Sequence, residues 1–190
     1  MSSGYIYITL ERDVTPEFGA IESVLAGIGV RLENVITRKI SALSECGEQV
    51  FVTREWIVAQ LTERRGVSMQ WWYGGAEDLY CRFNPDDLDG CWRVEFGLDG
   101  VDEERAEALV ERLLGYFKEC CTRGDVRALL VDRSGYLEET DWDAVIAGRE
   151  TLRNVPDILV LPRGLAPPGL VTADDESSEC RQHIILRARQ

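Results

Sequence analysis

The chain of 190 residues holds one histidine, His183, and two lysines against nineteen arginines. A Ser–His or Cys–His relay therefore has a single candidate base, in a C-terminal segment, and no GxSxG elbow, P-loop or GxGxxG fingerprint accompanies it. No run of about 18 apolar residues occurs, so the sequence offers no spanning helix. The start Met1-Ser2-Ser3-Gly4 carries neither a basic nor an apolar leader segment, and the expectation is a cytoplasmic chain without a signal peptide. Basic charge is scarce as well. With 21 basic against 34 acidic residues the net charge is −13, which opposes a phosphate backbone or an anionic membrane and favours a basic protein as partner.

Six cysteines, Cys46, Cys81, Cys91, Cys120, Cys121 and Cys180, read as free thiols in a reducing compartment. Cys81 and Cys91 flank a hairpin across which they could face each other, and one of Cys120 and Cys121 belongs to a helical apolar stripe. Cys180 and His183 have ligand spacing, but structural zinc sites normally pair two such motifs and no CxxC is present. The expectation is no metal and no cofactor.

What is present in quantity is apolar material, 45% of the residues, enough for a buried core. The length suits one domain spanning 1–190, of α/β or α+β class, with a largely antiparallel mixed sheet and three to four helices packed on it. Tyr5 to Leu10 reads as a first strand. Thr15-Pro16-Glu17-Phe18 opens a helix with Thr15 as cap, and Phe18, Ile21, Val24, Leu25 and Ile28 form its apolar face up to Gly29. Val30 to Ile40 reads as extended, and Gln49 to Val52 as a short strand. Thr53-Arg54-Glu55-Trp56 repeats the first helix opening, which convergent capping explains, with Trp56, Ile57 and Leu61 inward and an end at Gly66.

Val67 to Tyr73, Asp78 to Phe83 and Cys91 to Leu98 read as three strands joined closely enough to force an antiparallel meander. Asp102 to Thr122 is the longest helix, with Ala106, Leu109, Val110, Leu113, Leu114 and Phe117 on one face. A strand over Val126 to Val131, a helix over Asp141 to Ala147 capped by Thr140, a strand over Ile158 to Leu161, a solvated Pro-rich and acidic loop over 162–179 and a last strand over His183 to Leu186 complete the reading.

Acidic density peaks between Pro85 and Glu104, where Asp86, Asp87, Asp89, Glu95, Asp99, Asp102, Glu103 and Glu104 face only Arg93. Such a field steers a cationic partner over a Debye length of about 8 Å. The same residues also suit a solvated turn followed by a helix start, which prefers acids. Nearby, strand alternation puts Trp71 and Tyr73 on one face and Trp72 on the other, so Trp72 is the candidate anchor. The partner-binding set is Trp72, Asp86, Asp87, Asp89, Asp99, Asp102 and Glu103. The carboxylates Glu138, Glu139, Asp141 and Asp143 around Trp142 show no catalytic pairing, and a helix start accounts for two of them.

The order of elements resembles the GCN5-related acyltransferases. In that family the loop before the long helix grips the coenzyme A pyrophosphate through its amides. Here it reads Gly97-Leu98-Asp99-Gly100-Val101-Asp102-Glu103-Glu104, whose four acids oppose that ligand. The sequence therefore points first to a non-enzymatic acidic binding module, such as a bacterial immunity protein or inhibitor of a basic toxin or nuclease. The arginine-rich usage fits a GC-rich bacterial genome, and the acyltransferase with a degenerate coenzyme A loop is the alternative.

Overall fold

A computed structural model of the chain describes residues 4–11, 14–74, 77–85, 90–123, 126–133, 144–145, 149, 156–162 and 183–187. The fold is α+β. Ten strands are β1 (Tyr5–Leu10), β2 (Val30–Arg31), β3 (Ile40–Leu43), β4 (Gln49–Val52), β5 (Val67–Tyr73), β6 (Glu77–Pro85), β7 (Trp92–Gly97), β8 (Val126–Asp132), β9 (Ile158–Pro162) and β10 (His183–Arg187). Three helices are α1 (Val14–Ala26), α2 (Arg54–Thr62) and α3 (Glu103–Arg123).

Nine strands form one path, β10-β9-β8-β1-β7-β6-β5-β3-β4, and β2 adds to β5 beside β3. Every described pairing is antiparallel, in line with the largely antiparallel sheet expected from sequence. The meander β5–β6–β7 is present with the expected strands. β1 lies between β7 and β8, with Ile8 opposite both Val94 and Leu129. The parallel neighbours that an acyltransferase reading needs are not among the described pairs.

Strand alternation explains the core. Ile6, Ile8, Leu10, Val67, Met69, Trp71, Leu79, Cys81, Phe83, Val94, Phe96, Leu129 and Val131 all point to the face that the three helices cover. Phe18 of α1 meets Trp71 at 6.0 Å and Phe83 at 5.6 Å between ring centres. α3 buries the predicted stripe Ala106, Leu109, Val110, Leu113, Leu114 and Phe117, and adds Tyr116 and Cys120. The opposite face is polar and half-exposed over β5 to β7, as an antiparallel sheet permits.

Local chemistry sets the ends. Thr53 caps α2, its hydroxyl accepting the Trp56 N–H at 3.2 Å. This hydroxyl and the Glu55 backbone N–H hold the Glu55 carboxyl below the usual range. Thr15, by contrast, sits inside α1, which starts at Val14, with its hydroxyl 3.5 Å from that of Thr62. The shared Thr-x-Glu-aromatic pattern therefore hides two different roles. Trp56 is also corrected: α2 buries Ile57 and Leu61, and Trp56 is 42% exposed.

The segment after α1 is not simply extended. Buried Asn34 accepts the N–H groups of Ile36 and Thr37 on its side chain and that of Arg38 on its carbonyl, turning the chain back into β3. Gly4, at φ +119°, lies where any Cβ would collide with the Asp132 carbonyl, so the entry to β1 requires glycine. Cys81 faces Phe96 rather than Cys91, and Cys46, Cys81, Cys91 and Cys120 are free thiols. The helix expected over Asp141 to Ala147, apart from helical Ala144 and Val145, and the loop 162–179 beyond Pro162 lie outside the described residues.

Candidate functional site

The antiparallel meander brings two acidic segments to one end of the sheet. β6 begins at Glu77 and β7 ends at Gly97, and Tyr80 packs over Gly97, 3.4 Å from where a Cβ would stand. The chain then turns through Asp99 into α3. Asp102 caps that helix, its carboxylate accepting the Arg105 N–H at 2.9 Å and pairing with the Arg105 guanidinium at 3.2 Å. The same guanidinium pairs with Glu77 of β6. It also lies 5.2 Å from the centre of the Tyr73 ring. Burial pushes the Tyr73 phenol up to about 12, against the pull of Arg105, and its hydroxyl has no hydrogen-bond partner among the described residues.

Beyond this knot the exposed side of α3 presents Glu103, Glu104, Glu107 and Glu111 around Ala108, on one helical face and lining an open depression of about 720 Å³. Glu107 pairs with Arg133. Among the described residues nothing pairs with Asp99, Glu103 or Glu104, and all three are exposed. A negative surface with its arginines already engaged is suited to attracting a cation.

Trp72 reaches the same end from the other face of the sheet. It stands opposite Asp78 on one side and Arg31 on the other. The residue is half-buried, and its indole N–H is inaccessible with no acceptor among the described residues. An unsatisfied buried donor costs about 1–3 kcal/mol. Of the sequence-derived set, Trp72, Asp99, Asp102 and Glu103 thus converge on one end of the molecule. Asp86, Asp87 and Asp89 lie outside the described residues. The flanking strand ends, Pro85 and Trp92, pair with each other at the far end of β6 and β7, roughly 15–20 Å from Gly97 by strand rise.

Sequence reasoning missed the polar row beside Trp72. Gln49 donates to Gln70 at 2.8 Å and to Ser41 at 3.0 Å, and Gln70 donates to Asp78 at 2.7 Å. Its signal was available in the alternation Ser68, Gln70, Trp72 along β5, but the partners come from strands distant in sequence. It missed Glu77 and Arg105 for the same reason.

Nucleophilic chemistry finds little here. Burial pushes the Cys81 thiol well up, with the Trp71 indole acting the other way, and Cys120 is fully buried. Among the described residues no group of three or more His, Cys, Asp or Glu could hold a metal ion, and no helix is long and apolar enough to cross a membrane. Compared with known protein families, curated proteins and solved structures, the chain matches none.

Proposed function

We propose that the chain is a non-enzymatic protein-binding module that neutralises a basic partner, in the manner of a bacterial immunity protein acting on a toxin or nuclease in the cytoplasm. One observation carries this reading. Arg105 pairs with both Glu77 and Asp102 and so fixes the start of β6 against the start of α3, with Asp99, Glu103 and Glu104, unpaired among the described residues, around it. The acids steer the approach of the partner, and the half-buried Trp72 supplies the desolvated anchor.

The test is capture on the immobilised chain, identification of the bound protein, and kinetics with the recovered partner. The partner is expected to be basic. Reversing charge in the E103K/E104K/D99K variant slows association severalfold at low salt, and the difference shrinks as salt rises. W72A removes the aromatic anchor and speeds dissociation. Equal association of wild type and the triple variant at low salt rules out the acidic end. Stabilisation by acetyl-coenzyme A in a thermal-shift assay rules out the binder-only reading.

A further inference from the structure

Every exposed large hydrophobic residue among the described ones falls between positions 35 and 56: Val35 (38% exposed), Ile36 (72%), Val50 (39%), Phe51 (56%) and Trp56 (42%). They belong to the loop before β3, to β4 and to the first turn of α2, all at the β4 end of the sheet. Charge is also different here. Residues 30–60 contain Arg31, Arg38, Lys39 and Arg54 against Glu33, Glu45, Glu48 and Glu55, a net of zero in a chain of −13. Apolar patches of this kind mark contact surfaces, and a neutral one is the only kind that two copies of so acidic a chain can share without strong repulsion.

β4 closes the sheet at this end, and among the described residues no strand pairs with its outer side. Its sequence, Gln49-Val50-Phe51-Val52, contains none of the charges or prolines that blunt an open edge. The hydrogen-bond phase tells which backbone groups are free. Beyond the strand ends Ser44 donates to Glu48 at 2.9 Å. In an antiparallel ladder the hydrogen-bonded pairs alternate. From Ser44–Glu48, Ala42–Val50 and Ile40–Val52 are therefore the bonded pairs in the register, and the N–H and C=O of Phe51 point outward.

That phase suits a second copy. With a two-fold axis through Phe51, the two Phe51 residues form one bonded pair, each donating its N–H to the other's carbonyl. Val50 then stands opposite Val52 of the second copy, and the symmetric Val-Phe-Val run satisfies both halves at once. Residues on the helix-covered face meet residues on the same face, so two sheets become one. Lys39, 4.0 Å above the Phe51 ring, flanks the seam and replaces a repulsive carboxylate with a cation–π contact. We infer that β4 is a self-association edge, through which two copies of this chain join antiparallel about Phe51. The surface is separate from the acidic end and stands or falls independently of it.

Sedimentation or light scattering of the full chain, from low micromolar to the highest soluble concentration, is expected to show a concentration-dependent approach to twice the chain mass. The F51E variant places like charges opposite one another at the axis, while Lys39 can pair with each in the monomer, so it remains monomeric and folded. Cross-linking gives a second measurement. In a bonded antiparallel pair the Cα atoms are about 5.5 Å apart, within disulfide reach. F51C in a C46S background therefore oxidises to covalent dimer many times faster than E104C in the same background. A chain that stays monomeric throughout, with F51C no faster than E104C, overturns the inference. So does a dimer that persists in F51E, which puts the interface elsewhere. A monomer whose F51E variant loses a captured partner assigns the edge to a different protein and overturns it equally.

Discussion

Glu17 of α1 and Tyr116 of α3 make a buried polar contact between the two helices, and removing one hydroxyl there tests how the helix layer is held. Glu17 is 9% exposed and Tyr116 6%, and the phenol donates to a Glu17 carboxylate oxygen that also has the Cys120 sulfur at 3.9 Å. Burial first, and then the bond to Glu17, pushes the Tyr116 phenol above its ordinary value. Y116F deletes the phenol donor from this buried contact. Hydrogen bonds to charged groups contribute about 1.5–3 kcal/mol, so Y116F is expected to cost about 2–3 kcal/mol. With a urea m-value of about 2 kcal/mol/M, that moves the unfolding midpoint down by roughly 1 M at unchanged slope. E17L should also destabilise. The double variant E17L/Y116F should cost less than the sum of the two by about 1 kcal/mol or more, because both changes remove the same hydrogen bond. A Y116F loss below about 0.5 kcal/mol, or additivity within that margin, would refute the reasoning.

Three further outcomes are expected. Tyr73 and Tyr116 both ionise less readily folded than unfolded, so the unfolded chain releases these protons first. Stability from them is complete below pH of about 10 and falls as pH rises above it, and Y73F removes part of the loss between about 10 and 12 in unfolding measured against pH. L113A should cost about 2–5 kcal/mol in urea unfolding, since Leu113 is fully buried at the centre of the α3 stripe. T53A should cost about 0.5–2 kcal/mol in the same assay by removing the cap of α2, whereas T15A, inside α1, should cost less.

What could be read from the sequence followed local rules. The meander was legible because alternation in Val67 to Tyr73 and its two successors is separated by short joins, and α3 because its stripe from Ala106 to Phe117 holds for about three turns. β3 was hidden in a stretch where Asn34 turns the chain, since the bond from its side chain to Ile36 and Thr37 is only visible folded. Trp56 was assigned inward on hydrophobicity alone, but a nine-residue helix has one buried face and Ile57 and Leu61 occupy it. The candidate site was half legible. Asp99, Asp102 and Glu103 announce themselves as a charge run, but hairpin geometry sends Pro85 and Gly97 to opposite ends of β7. Glu77 and Arg105 join the site only through pairing between residues 28 positions apart.

The central place of β1 has a consequence for how the chain is made. Both neighbours of Tyr5–Leu10 are remote: β7 begins at Trp92 and β8 ends at Asp132. β1 is made well before either neighbour and finds its position late, since β7 is complete only at Gly97 and β8 only at Asp132. At about 5–20 residues per second, the ribosome holds Ile6, Ile8 and Leu10 without their strand partners for on the order of ten seconds. During that interval they form an apolar segment with both edges open, so nascent chains halted after α2 should aggregate or recruit chaperones. Chains extended past Asp132 can bury the strand. The contact order this imposes also predicts refolding in milliseconds to seconds rather than microseconds, limited by delivery of β1 to its place between β7 and β8.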